Sequence, residues 1–272
     1  MAGGRVAAGK LRGTLSIVGW LTKVGTAFAS ASDIKVTMSD RNPPMSNRKP
    51  TAAALTTEEL IPVNFVPRSV LICKRAMDIV VSLIGLVVTA PLWPLVALAI
   101  RLDSPGPAVY RQLRVGRMHA DHTELFWILK FRSMRADAEK LTGAVWAQKD
   151  DPRITRVGAF LRKTRLDELP QLINVLRGDM SVVGPRPERP AMYRKLDQAV
   201  PFFADRTAGL RPGVTGLTQV VQGYDNSLED VRRKVGFDAA YAMRLCSFRS
   251  WLASDMAIMF RTMSVMVTGR GQ

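Results

Sequence analysis

A chain of 272 residues with 47% hydrophobic content and a formal net charge of +16 has ample material for a core of one or two domains. That charge requires an acidic partner: nucleic acid, anionic lipid headgroups or a phosphorylated substrate. Two cysteines, Cys73 and Cys246, exclude a disulfide framework and a zinc motif and point to a reducing compartment.

Residues 1–68 read as a poorly structured extension. Arg5 to Ala31 has a basic start and a short apolar run from Leu15 to Leu21, but Lys23 interrupts it, so an interfacial amphipathic helix or disorder is expected rather than a signal peptide. Met38 to Lys49 is polar and turn-rich, as linkers are. The chain changes character at Val70. Lys74, Arg75 and Asp78 lead into an uncharged run from Ile79 to Ile100, closed by Arg101. Its length as a helix, about 33 Å, suffices for the hydrocarbon core of a membrane. Pro91 and Pro94 predict a break within it. Both flanks are basic, which fits both ends lying on one side, so a spanning helix and a re-entrant one stand about level on the residues alone.

Ser104 to Gly116 predicts a turn and a short strand, and Phe126 to Met134 a second strand. His119 and His122 stand three apart in turn-rich sequence without further ligands, so no metal site is expected there. Arg135 to Ala147 reads as a mostly helical connector, and Asp151 with Arg153 as a turn ion pair.

The densest stretch is Leu161 to Pro187. Leu166, Leu169, Leu172, Ile173 and Leu176 recur at helical spacing, Pro170 suits a first turn, and Gly178 suits the position after the last. Asp167 and Glu168 then occupy the start of the helix, where its dipole and the cations Arg162, Lys163 and Arg165 favour ionised carboxylates. Such a pair suits a metal ion and phosphate, although an acidic first turn is common and needs no chemistry. After Pro187, Glu188 to Ala199 predicts a helix. Phe237 to Val267 predicts one long amphipathic stretch, with Met256, Met259, Phe260, Met263 and Met266 on a face that lies on membrane or packs in the core. No Walker loop or dinucleotide fingerprint occurs, so phosphate binding falls to arginines and loop amides.

Leu166-Asp167-Glu168-Leu169-Pro170-Gln171, then Asn174-Val175-Leu176, Gly178-Asp179-Met180-Ser181 and Val183-Gly184-Pro185-Arg186-Pro187, resemble the core of the bacterial sugar transferase family, the small monotopic phosphoglycosyl transferases. The likeness runs from about Val70 to the C-terminus and includes Lys130-Phe131-Arg132-Ser133-Met134, Leu210 to Gly216, and Asp238 with Tyr241. It implies a mostly helical α+β fold: a re-entrant helix-break-helix over 69–103, broken at Ala90-Pro91 where the family often has Ser-Pro, then a cytoplasmic catalytic domain over 104–272 with short strands and interfacial amphipathic helices. Gln219-Val220-Val221-Gln222-Gly223 departs from the family's Gln-Val-Asn-Gly by one residue, which puts the local loop in question. Larger relatives carry further transmembrane helices and another domain ahead of this core, so the resemblance reads this chain as a short form, its oligomeric state open and a homodimer among the options.

The activity implied is transfer of a sugar-1-phosphate from a UDP-sugar to polyprenyl (undecaprenyl) phosphate with release of UMP, the first step of a surface glycan such as exopolysaccharide or capsule. By the resemblance Asp167 is the nucleophile, forming a covalent phosphosugar. Glu168 is its metal- or proton-handling neighbour, and both carboxylates hold Mg²⁺. Lys130, Arg132, Arg162, Arg186, Arg211 and Arg114 are phosphate contacts, and Asp238 is a further acid serving the site. Placement at the bacterial inner membrane, facing the cytoplasm, follows, with membrane lipids as partners. A non-enzymatic basic protein that holds anionic lipids is the alternative. A nucleic-acid module is set aside, because aromatics are only 7% and are not interleaved with a basic stripe.

Overall fold

The computed structural model describes residues 65–119, 121–138, 151–222 and 227–268. Nearly all of the 1–68 extension, most of the 135–147 connector, and Gly223 lie outside these.

The uncharged run forms two helices, α1 (Arg68–Thr89) and α2 (Leu92–Asp103), bent by 64° across Ala90-Pro91. Proline at this point supplies no N–H to continue the ladder. The Thr89 hydroxyl returns to the Gly85 carbonyl at 2.7 Å and accepts the Trp93 indole N–H at 3.3 Å, so the residue before Ala90 brings the hydroxyl to the break. Among the described residues no single helix is long and apolar enough to cross a membrane, whereas the bent pair taken together passes that test. Large apolar side chains point outward along it, Val87 at 74% exposure and Leu102 at 80%.

Polar hooks fasten the other face of α1. Lys74 meets Asp255 at 2.7 Å, Arg75 donates to the carbonyls of Val175 and Leu176, and Asp78 accepts from the Ser181 hydroxyl and the Val182 N–H. Asp255 also takes the Tyr241 hydroxyl at 2.9 Å and the Trp251 indole at 2.8 Å, so one fully buried carboxylate ties three helices.

The two strands expected after the bend pair with each other. β1 (Val109–Met118) and β2 (Thr123–Phe131) form an antiparallel hairpin in register from Val109↔Phe131 to Val115↔Leu125, with an irregularity before Met118. Asn174 closes the outer edge of β2, accepting the Leu129 N–H and donating to the Trp127 carbonyl. His119 and His122 stack at 4.5 Å near the turn, paired with Glu124 and Asp121, and no metal-binding group of three or more such side chains occurs among the described residues. Arg153 forks onto Asp151 in the turn that precedes α3 (Arg156–Lys163). Gly158 in α3 is obligatory: a Cβ there would lie 2.0 Å from the Ser133 carbonyl oxygen.

The helix expected from Leu166 onward begins later. Leu166–Glu168 is a 3₁₀ turn, Pro170 is the cap, and α4 runs Gln171–Arg177, ending on Gly178 at φ 94° as its position requires. β3 (Ser181–Val183) and β4 (Gly213–Thr215) pair in parallel, with α5 (Pro190–Ala199) between them in sequence. After α6 (Leu217–Val221) come α7 (Leu228–Arg244) and α8 (Phe248–Thr268). The single long stretch expected over 237–267 is thus divided at 245–247, a turn that lets Tyr241 of α7 and Trp251 of α8 reach the same Asp255. The methionine stripe is divided too: Met259 packs on the core, while Phe260 and Met263 face outward. The fold is a mostly helical α+β arrangement, as expected.

Of three core clusters among the described residues, two hold the elements around the site together. One joins α1, the hairpin, α4, β3, α7 and α8 around Val70, Val175 and Trp251. The other is built on Ile100, Phe131 and Leu161, with Trp93, Val96, Leu166 and Leu169 packed against it, so α2 supports the 3₁₀ turn directly.

Candidate active site

Arg165 leaves α3 in the left-handed region, at φ 58° and ψ 15°, a conformation that costs a non-glycine residue about 1–2 kcal/mol. The reversal swings Asp167 and Glu168 off the axis of α3 and into a cleft of about 290 Å³, walled by Gln112, Arg114 and Lys130 of the hairpin, by Arg162 and by Arg186. Both acids are 8% exposed.

Their environments differ sharply. Glu168 Oε1 collects Lys130 Nζ at 3.2 Å, both terminal nitrogens of Arg186 at 3.2 Å, and Arg165 at 3.9 Å. Burial alone would raise the Glu168 pKa; Lys130, Arg186 and Arg165 overturn that and hold it well below the usual carboxylate range. Asp167 goes the other way. Burial, then the charge of Glu168, pushes it up to about 6 against the pull of Lys130, Arg162 and Arg165, and its Oδ1 is shielded from water with no hydrogen-bond partner. The pair was expected to be ionised by a helix dipole; both acids instead precede α4 in the 3₁₀ turn, so burial and the neighbouring charges set them, and at about 6 Asp167 is still mostly ionised at neutral pH. The cations shift as well. Burial brings Lys130 to about 8, and burial with the neighbouring Arg186 brings Arg114 to about 10.

Of the six expected phosphate contacts, five line this cleft: Lys130, Arg114, Arg132, Arg162 and Arg186. Arg114 is steadied by the Pro187 carbonyl at 3.0 Å and by Gln112. Arg132 reaches the cleft wall, but its terminal nitrogens go to the carbonyls of Ser104 and Pro105 just past α2. β2 ends at Phe131, so Arg132 caps the end of α2 instead of continuing the alternation that presents Lys130. Arg211 is not among the cleft residues; it lies beside Arg75 and Arg117.

Asp238 is also displaced from its expected place. It is buried behind the cleft, where Oδ2 accepts Arg206 at 2.9 Å and Oδ1 accepts the Thr218 hydroxyl at 2.9 Å. Arg206 in turn donates both terminal nitrogens to the Arg186 carbonyl at 3.2 Å and lies over the Phe203 ring. Asp238 thus fixes the Gly184–Pro187 loop through Arg206. A second buried pair, Lys234 with Glu188, reaches the cleft itself. Sequence reasoning missed Arg206, Glu188 and Lys234. Glu188 follows the Pro-Arg-Pro run directly, and Lys234 stands four residues before Asp238, one turn away on the same helix face, a spacing that marks it.

Residues 69–269 match the sequence pattern of the bacterial sugar transferase family. A UDP-N-acetylgalactosamine-undecaprenyl-phosphate N-acetylgalactosaminephosphotransferase of Aeromonas hydrophila is 43% identical over 198 residues, which are 73% of this chain and 44% of that protein. An exopolysaccharide production protein of Rhizobium leguminosarum is 42% identical over 74% of this chain and 98% of its own length. A UDP-glucose:undecaprenyl-phosphate glucose-1-phosphate transferase of Caulobacter vibrioides is 42% identical over 72% and 70% respectively. The chain thus spans under half of the Aeromonas protein and nearly all of the Rhizobium one. With its match covering the whole cleft and the bent helix pair, the chain belongs to the bacterial sugar transferase family.

Proposed function

We propose that the chain transfers a sugar-1-phosphate from a UDP-sugar to polyprenyl phosphate and releases UMP, through a covalent phosphosugar on Asp167. The observation that carries this reading is the divided acid pair: Glu168 is saturated with cations, while Asp167 keeps an unpartnered oxygen. A carboxylate held near pKa 6 is mostly ionised at neutral pH yet more basic than an ordinary aspartate, which suits a nucleophile. An Asp167 oxygen attacks the β-phosphorus, the bond to the bridging oxygen breaks, and UMP leaves with the electron pair. An oxygen of polyprenyl phosphate then attacks the same phosphorus, and the Asp167 carboxylate is regenerated. Lys130, Arg114, Arg162 and Arg186 offset repulsion between carboxylate and diphosphate and stabilise charge on the phosphoryl oxygens. Adjacent carboxylates with a substrate diphosphate form an all-oxygen donor set of the kind Mg²⁺ takes, so the residues fit that ion. Bound by Asp167 and Glu168, it would supply further neutralisation of the phosphates.

The bent pair is read as re-entrant, entering one leaflet of the bacterial inner membrane and returning, with the cleft on the cytoplasmic side at the height of a lipid phosphate. Cysteines placed near Val70 and Ser104 should both label from the cytoplasm, and Pro91→Ala should shift a fraction of molecules toward spanning; periplasmic labelling of either site in the parent protein restores a single crossing.

Turnover is tested with purified protein, Mg²⁺, undecaprenyl phosphate and a panel of UDP-sugars. UMP release dependent on one of them supports the reading; none from any would leave a basic lipid-binding protein. Arg186→Lys should lose at least about 1.4 kcal/mol of transition-state stabilisation, a tenfold loss of rate, because a point charge cannot replace the planar fork that meets both Glu168 and phosphate. Near-normal turnover in that variant makes Arg186 a loop-shaping residue only.

A further inference from the structure

A second group of arginines lies apart from the Asp167 cleft, where β1 ends against the segment leading into β4. Met118 bridges Ala208 in parallel, and the Gly209 N–H donates to the Met118 carbonyl at 2.9 Å, which brings Arg117 and Arg211 side by side. The Ser181 N–H donates to the Pro212 carbonyl, and its hydroxyl to Asp78 of α1. Arg75 stands one turn before Asp78 on that helix. The three arginines are near enough that burial together with Arg117 and Arg75 lowers the Arg211 pKa.

The two outer members form no ion pair among the described residues, although Asp78 and Glu124 lend Arg211 some opposite charge. Arg75 is occupied by the Val175 and Leu176 carbonyls. Arg117 and Arg211 are half-buried, make no hydrogen bond or ion pair among the described residues, and each holds an Nε shielded from water without an acceptor. The acids nearby are committed, Asp78 to Ser181 and Val182, Glu124 to His119. Two adjacent guanidinium groups drawn partly out of water without an anion are unfavourable, and a phosphate removes that cost by accepting from both forks.

We propose that Arg117 and Arg211, backed by Arg75, form a second anion site that takes one phosphate group, that of an anionic phospholipid headgroup. The source follows from position. Arg75 is four residues before Ile79, the first residue of the apolar run, so it stands about 6 Å along the helix from the start of the hydrocarbon level. That choice of source rests on the membrane reading of α1 and α2; the affinity for phosphate does not. A headgroup held there fixes how deep α1 sits, independently of the substrates.

The test uses the full-length protein in detergent. An Arg186→Gln background weakens phosphate binding in the Asp167 cleft, and Arg117→Gln/Arg211→Gln is compared with its parent. By native mass spectrometry the parent should retain one phosphatidylglycerol and no phosphatidylcholine, and the double variant should lose it. Inorganic phosphate should raise the unfolding midpoint of the parent, with affinity at least roughly tenfold weaker in the variant, one fork-and-phosphate contact's worth. In anion-free buffer the variant should melt no lower than its parent, since only repulsion is removed. Displacement of the lipid by phosphate assigns the site to a headgroup; a phosphate response without lipid retention keeps the anion site and makes free phosphate its source. Equal lipid retention and equal phosphate response in both proteins, or a variant that melts lower without anion, overturns the proposal. Flotation of the Arg117→Gln/Arg211→Gln variant with vesicles tests the membrane reading separately, because that variant lacks this site.

Discussion

Asp167→Asn should release no UMP from any UDP-sugar while keeping the fold and membrane association of the parent. Asparagine preserves size but has no negative oxygen to attack phosphorus. The parent, given UDP-sugar and Mg²⁺ without a lipid acceptor, should release up to one equivalent of UMP and gain the mass of one sugar phosphate on Asp167. Direct attack by the lipid phosphate would give neither product in that experiment, because it requires both substrates. An adduct mapped to Glu168 or Asp179 would remove Asp167 from the nucleophile's role and leave the reaction class standing. The pH dependence has a definite sign. Asp167 is raised to about 6, mainly by burial, so it loses its charge as pH falls through that value. The ionised fraction, and with it the initial rate of UMP release, should drop roughly tenfold between pH 7 and pH 5. A flat profile over that interval would place the ionisation elsewhere.

Asp238→Ala should unfold the protein far more readily than any change in the cleft. Arg206 and Asp238 have side chains 0% and 2% exposed, and removing one member of such a pair strands the other charge, a loss of about 3–5 kcal/mol out of the roughly 5–15 that a domain has. Thermal unfolding would show it as a large fall in midpoint. Activity measured below that midpoint should also fall, since Arg206 then loses the partner that aims it at the Arg186 carbonyl. Asp238→Asn, which can keep the Thr218 contact, should be milder in both respects. An alanine variant that melts with the parent would mean that Arg206 is neutralised by another acid, and Glu188 is close enough to feel its charge.

What the sequence disclosed was what repeats locally. Pro91 announced the bend, Gly178 the end of α4, and the leucine spacing the helix between. The union of Asp167 and Glu168 with Lys130 and Arg186 was legible only because those residues sit in blocks with a known likeness; nothing in their separation along the chain predicts that they meet. The misplacements have a common cause. Lys130 and Arg132 share a strand parity, yet β2 stops between them and sends Arg132 to the end of α2. Asp238 matches a motif, but its partner Arg206 has none, so an acid of the second layer read as one of the first. The raised pKa of Asp167 comes from burial beneath segments distant in sequence, and helix-end electrostatics, which are local, pointed the opposite way.

The carboxylate of Asp255 also sets a timetable. Lys74 pairs with an acid 181 residues further along the chain, in a helix completed near its end. At about 5–20 residues per second, the ribosome needs roughly 10–40 s to supply that partner after α1 has emerged. Throughout the interval α1 is complete and Lys74 must keep its water. Closure around Asp255, with Tyr241 and Trp251 arriving together, therefore follows completion of α1, and on the membrane reading proposed above the helix meets the lipid before the domain locks onto it.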